Sequence, residues 1–194
     1  MSERKFNPST LVLLIMILFV SIIRVAAPFS DQFKEIANFS AVGAMALFGG
    51  AYFNSNLKAF GFPLLMLVLS DLFLGLTVYK EFGLFYPGWY WTYVAFVLMV
   101  LVSRVMLKSV NVTRLLGATL AIVLIHWIVT DFAVWYSGTM YPHTLAGFWL
   151  CLVNAIPFEL KFLYGTLIYG AVMFGAFEFL KARYPYLKMV RSVA

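Results

Sequence analysis

Six long apolar stretches, divided by short polar or turn-forming segments, dominate the pattern of the chain. They cover about residues 10 to 28, 39 to 54, 59 to 78, 89 to 107, 114 to 136 and 160 to 181. The breaks fall at Asp31 to Asn38, at Asn54-Ser55-Asn56-Leu57-Lys58, at Lys80 to Gly88 with Pro87, at Lys108 to Thr113, and over the longer segment Ser137 to Glu159. Runs this long and this continuously apolar lack the alternation of half-buried strands. Inside lipid, moreover, a backbone must satisfy its own hydrogen bonds, so each run is predicted to be a membrane-spanning helix. The expected fold class is all-α, a polytopic membrane protein whose single domain, residues 1–194, crosses six times. Leu11 to Ile23 forms a 13-residue apolar core behind Arg4 and Lys5, a pattern shared with signal peptides. Arg24 stands where a cleavage region is normally neutral, and an arginine can snorkel from a helix end, so this first run is expected to remain as a span.

Composition sharpens the picture. The 194 residues are 63% hydrophobic and 11% charged, with a mean hydropathy of +0.93, against about 25% charged in ordinary soluble domains. Six spans use up the chain, which excludes a separate soluble catalytic domain and a nucleic-acid-binding module. The lone cysteine, Cys151, excludes a disulfide framework. With six spans the termini share a side. Ten basic residues (Arg4, Lys5, Lys58, Arg104, Lys108, Arg114, Lys181, Arg183, Lys188 and Arg191) fall on that side with Glu3 and Glu178, a balance of +8. Arg24, Lys34, Lys80 and Lys161 fall on the other with six acids, a balance of −2. Both termini are therefore expected in the cytoplasm.

A charge inside a span costs about 2.5 to 3.5 kcal/mol, so each one asks for a partner, a wet cavity or the interface. Arg104 and Glu178 lie near helix ends and read as interfacial. Asp71 lies well inside the third run. Asp131 lies toward the outer end of the fifth, between Trp127 and Trp135 at spacings of four, which places acid and indoles on one face. Two readings stay open for these acids: an outward-opening polar pocket for a solute, or ion pairing between helices, for which Arg24 stands at a compatible height. His126 reads as a satisfied bundle residue. Aromatics crowd the outer segments, with Trp89, Tyr90 and Trp91 before the fourth run and Trp135, Tyr136, Tyr141, Phe148 and Trp149 after the fifth. They serve as an interfacial belt or as a stacking surface for a flat ligand. Segment 137–159 is expected to be a long lid-like loop with a short helix through Asn154 that ends at Pro157. Gly43, Ala46, Gly49 and Gly50, and Gly165, Gly170, Ala171 and Gly175, are expected to allow close helix approach.

No G-x-S-x-G, H-E-x-x-H, P-loop or C-x-x-C motif occurs. The two histidines with Asp131 lack a metal-ligand spacing. No enzyme activity, cofactor or metal site is expected.

The residues Asn38-Phe39-Ser40-Ala41-Val42-Gly43, Gly49-Gly50-Ala51-Tyr52, Pro63 with Ser70-Asp71-Leu72, Thr130-Asp131-Phe132-Ala133-Val134-Trp135, and Tyr141-Pro142 with Ala155-Ile156-Pro157-Phe158 together resemble an uncharacterised family of bacterial membrane proteins. That family is itself similar to the substrate-binding S components of energy-coupling factor (ECF) vitamin transporters. The resemblance spans about residues 20 to 175 and implies an S-component-like six-helix bundle with a vitamin-like or heterocyclic solute bound near the outer face. It also implies a place in the bacterial inner membrane, with a transmembrane coupling subunit and ATPases as partners, although residues 10 to 28 lack the Ala-x-x-x-Ala docking pattern. The family carries Asn where this chain has Asp131, and Asn and Asp where it has Lys161 and Thr166, so an Asp131–Lys161 pair is expected to replace the usual arrangement. Ser2 stands where metal-transporting members carry histidine, and Cys151 keeps corrinoid binding open. The expected solute site comprises Arg24, Asn38, Asp71, Trp89, Trp91, Asp131, Trp135, Tyr141 and Asn154. The alternative is a structural or assembly protein that uses the same fold as a docking platform.

Overall fold

A computed structural model describes residues 8–29, 40–78, 80 and 88–188. Among them are six α-helices: α1 (Pro8–Ala26), α2 (Val42–Tyr52), α3 (Asn56–Thr77), α4 (Trp89–Met106), α5 (Val112–Ser137) and α6 (Leu145–Arg183). Short 3₁₀ turns follow α1 at Ala27–Phe29 and α6 at Pro185–Lys188. Helix starts follow local chemistry. Pro8 occupies the first position of α1, where its missing N–H costs nothing. The side chains of Ser55, Asn111 and Thr144 accept from the backbone N–H groups of Lys58, Arg114 and Gly147, capping α3, α5 and α6. Gly88 caps α4 at a φ of 83°, a left-handed conformation that favours glycine.

Five of the helices are long and apolar enough to cross a bilayer, which suggests a multi-pass membrane protein. Their outward faces are apolar: Phe19, Leu120 and Ile168 are each more than half exposed. The expected span at 39–54 is corrected. Its helix, α2, has 11 residues, about 16 Å against a hydrocarbon core of about 30 Å. Every residue of α2 is buried, because α2 is the central helix of the bundle, packed by α3, α4 and α6. A helix apolar on all sides is what such a position demands. Small residues let the neighbours close in. A Cβ on Gly49 would lie 2.6 Å from Pro63 Cγ of α3, one on Gly50 2.7 Å from Ser103 Cβ of α4, and one on Gly43 2.9 Å from Phe162 Cζ of α6. Phe48 meets Tyr52, Phe174 and Phe177 edge-to-face at centroid distances of 4.9, 5.4 and 5.7 Å.

The segment 137–159 also differs from expectation. Only residues 138–144 are non-helical, and the expected short helix and sixth span are one 39-residue helix, α6. Proline's fixed φ suits a helix, and Pro157 is exposed at the surface of α6, so it forfeits a hydrogen bond without ending the helix. Helices α1, α3 and α5 run one way along the bundle, and α2, α4 and α6 run the other. The C-termini of α1, α3 and α5 and the N-termini of α4 and α6 therefore share one end of the bundle, here called the upper end. Arg24–Asp71, Tyr93–Asp71 and Trp135–Phe148 contacts join these elements there.

The lower end is tied by charge. Arg104 donates from Nη1 to Phe53 O at 2.6 Å and from Nη2 to Asn54 O at 2.5 Å, satisfying carbonyls just past α2. Tyr52 OH donates to Glu178 Oε1 at 2.6 Å, and Lys181 Nζ reaches both oxygens of Glu178. These groups are fixed partners within the bundle, more specific than the interfacial positions expected from their place near helix ends.

Candidate functional site

The expected site residues gather at the upper end in two groups. The first is built on α1, α3 and α4. Arg24 Nη2 lies 2.7 Å from Asp71 Oδ1, and Arg24 Nη1 donates to Ser70 Oγ. Tyr93 OH donates to Asp71 Oδ2 at 2.9 Å, so each carboxylate oxygen has its own donor. Trp89 packs edge-on against Tyr93 at 5.5 Å. Of the two readings left open for Asp71, the ion pair with Arg24 is the geometry observed.

The second group is built on α4, α5 and the start of α6. Phe132 is its hub, with ring centroids at 5.1 Å from Trp91, 5.6 Å from Trp135, 5.6 Å from Tyr136 and 6.2 Å from Phe148. Trp135 Nε1 donates to Pro142 O at 2.8 Å, and Asn154 Nδ2 to Tyr141 OH at 3.4 Å. The four-residue spacing of Trp127, Asp131 and Trp135 does place them along the side of α5 toward α6. Trp127 Nε1 donates to Leu152 O at 3.0 Å, and Cys151 Sγ to the backbone oxygen of Asp131 at 3.6 Å. The aromatic run Trp89-Tyr90-Trp91 links the two groups through ring contacts at 6.2 and 5.6 Å. Asn38 lies outside the described residues.

Two polar atoms of the second group are left over. Trp91 Nε1, a donor, and Asp131 Oδ2, an acceptor, are buried without a hydrogen-bond partner. Such a group costs about 1–3 kcal/mol relative to a paired one. The expected Asp131–Lys161 pair is absent. Lys161 is exposed, with Nζ 6.0 Å over the Phe158 ring.

A third group escaped the sequence reading. His126 Nδ1 lies 2.7 Å from Glu159 Oε1, and its ring stacks on Phe162 at 4.0 Å and 9°. Glu159 is 8% exposed and its Oε2 has no partner. Two turns further along α6, Thr166 is fully buried with its Oγ1 also unpartnered. With α6 taken as continuous through Pro157, the three- and four-residue spacing of Cys151, Ala155, Glu159, Phe162 and Thr166 would have put Glu159 on the buried stripe. The same geometry turns Lys161, two residues on, to the opposite side.

Among the described residues, no group of three or more His, Cys, Asp and Glu side chains is placed to hold a metal ion. Neither the curated proteins nor the solved structures contain a match to this chain. A family model does match over residues 4–187, and the chain accordingly belongs to the family described as "Family of unknown function (DUF6580)".

Proposed function

We propose that the chain is a solute-binding or transport subunit of the bacterial inner membrane, built on the plan of an ECF S component. It would take up a small vitamin-like or heterocyclic nutrient at the upper end of the bundle, with that end facing away from the cytoplasm and both termini inside. The observation that carries this reading is the pair of unpartnered atoms, Trp91 Nε1 and Asp131 Oδ2, the first on a ring that packs against Phe132 and the second on the residue before Phe132 in α5. A planar heterocycle with a ring acceptor and an N–H donor satisfies both, and the neighbouring rings supply its apolar contacts. Arg24, Asp71 and Trp89 form one flank, Trp135, Tyr141 and Asn154 the other, and Asn38 belongs to the segment between α1 and α2. The chain has no nucleotide-binding motif, so a coupling subunit and ATPases supply the energy or uptake is passive.

The test is thermal unfolding of the purified protein in detergent against a panel of vitamin-class heterocycles. A ligand at 100 times its Kd stabilises by about 2.7 kcal/mol. We expect at least one compound to raise Tm, and Trp91→Phe and Asp131→Asn each to reduce that rise. A panel without any effect, or a rise that survives both substitutions, removes the basis of the reading.

One observation favours the docking-platform alternative: the Arg24–Asp71–Tyr93 group is already satisfied internally. That alternative predicts a co-purifying membrane protein and no bound solute, and native mass spectrometry of gently extracted protein separates the two.

A further inference from the structure

The seam between α5 and α6 holds three titratable side chains whose charges do not cancel. Glu159 and His126 are in direct contact, and the parallel Phe162 ring holds the imidazole in place. Asp131 lies five residues further along α5, without a side-chain hydrogen bond to either but within electrostatic range of both. One oxygen of each carboxylate, Asp131 Oδ2 and Glu159 Oε2, is buried and unpartnered, and Glu159 is more than nine-tenths buried as a residue. With a protonated imidazole and two ionised carboxylates the group carries one net negative charge. With a neutral imidazole it carries two.

Among the described residues nothing cancels that charge. Arg24 is engaged by Asp71, Lys181 by Glu178, and Lys161 is exposed over Phe158. From the helices packed against the seam, Tyr93 of α4 donates to Asp71 and Tyr52 of α2 donates to Glu178. Cys151 of α6 faces the Asp131 backbone oxygen, and Tyr169 lies ten residues beyond Glu159, about 15 Å along the helix. A net charge at such depth costs about 2.5 to 3.5 kcal/mol. One small cation removes it. A calcium ion requires six to eight oxygen ligands, and a magnesium ion an octahedral shell that brings several waters with it; among the described residues no group of three or more His, Cys, Asp and Glu side chains is placed to hold either. A proton requires no cage. On a carboxylate it also turns an orphaned acceptor into a donor.

We propose that Asp131, His126 and Glu159 form a proton-binding site within the membrane, which holds one exchangeable proton on its two carboxyl groups beside the imidazole. With the imidazole protonated, uptake forms one O–H bond on a carboxylate oxygen and neutralises the site, and release restores the carboxylate. No other bond changes. The site shares Asp131 with the proposed solute pocket but does not require a solute, since a docking protein of the same fold would carry it equally.

Infrared difference spectroscopy of the full chain in lipid nanodiscs, titrated with acid and base, tests it. The expected result is a protonated-carboxyl C=O band in the wild type at neutral pH that shifts in D₂O. The band is lost in the Asp131→Asn/Glu159→Gln double variant and kept in Asp71→Asn. Absence of the band from the wild type at neutral pH overturns the proposal, and so does a band that persists in the double variant. The wild-type spectrum decides by itself if the double variant does not fold.

Discussion

Asp71 joins three helices through one side chain, because Arg24 of α1 and Tyr93 of α4 each hold a different carboxylate oxygen. Removal of one partner from a fully buried ion pair costs about 3–5 kcal/mol. The Arg24 and Asp71 side chains are 21% and 28% exposed, so water recovers part of that loss. Arg24→Met is expected to destabilise the purified protein by about 1–3 kcal/mol, and the Arg24→Met/Asp71→Leu double variant to regain most of it. Unfolding of the four species in one detergent gives the double-mutant cycle. Additivity within about 0.5 kcal/mol would mean that the pair is not coupled. This pair was legible in the sequence as one of two alternatives, because helix registers alone put Arg24 and Asp71 at one height. Tyr93 was hidden as one of five aromatic residues of 89–96, whose hydroxyls and rings look alike until a neighbouring helix is placed.

At the scale of the helix, the same small-residue spacing has opposite meanings in α2 and α6. Ala46-x-x-x-Gly50 lies in the wholly buried central helix, where a Cβ on Gly50 would meet Ser103 Cβ at 2.7 Å and Val100 O at 2.8 Å. Ala171-x-x-x-Gly175 is exposed, and a Cβ on Gly175 would meet nothing within 4 Å. Gly50→Leu is therefore expected to lose about 1–3 kcal/mol or to prevent folding, while Gly175→Leu stays within about 0.5 kcal/mol of wild type. Equal effects in a melting experiment would show that the bundle around α2 is assigned wrongly. Spacing marks a smooth surface on a helix without saying what faces it, which is why α2 reads as a span and turns out to be a core. The long α6 was misread for a different reason: Pro157 signals a stop in most contexts, but here it lies on an exposed surface where only one hydrogen bond is forfeited. Pro157→Ala restores the donor to Val153 O and is expected to raise stability by roughly 1–3 kcal/mol. A fall in Tm would instead show that Glu159 needs the local geometry that the proline imposes.

For the molecule as a whole, helices and apolar exterior were legible because both follow from long apolar runs, whereas the seams between helices depend on rotations that hydropathy does not encode. The two ends of the bundle differ chemically. The upper end carries the Phe132 aromatic cluster with Asp71 and Asp131, and the lower end carries Arg104, Lys108, Arg114, Lys181 and Arg183 beside Glu178. Basic residues near helix ends favour the cytoplasmic side, so the proposed orientation has a direct test. The one native thiol, on Cys151, is 1% exposed, which keeps background labelling low in single-cysteine variants. Thr139→Cys in the connection between α5 and α6 and Ser109→Cys between α4 and α5 occupy exposed positions at opposite ends. In intact cells with the outer membrane permeabilised, a membrane-impermeant maleimide is expected to label Thr139→Cys at least tenfold faster than Ser109→Cys, a difference of about 1.4 kcal/mol in apparent barrier. Lysis should bring Ser109→Cys to a comparable rate. The reverse pattern would put the basic end outside and place the unpartnered Trp91 and Asp131 atoms on the cytoplasmic side, where uptake from outside has no use for them.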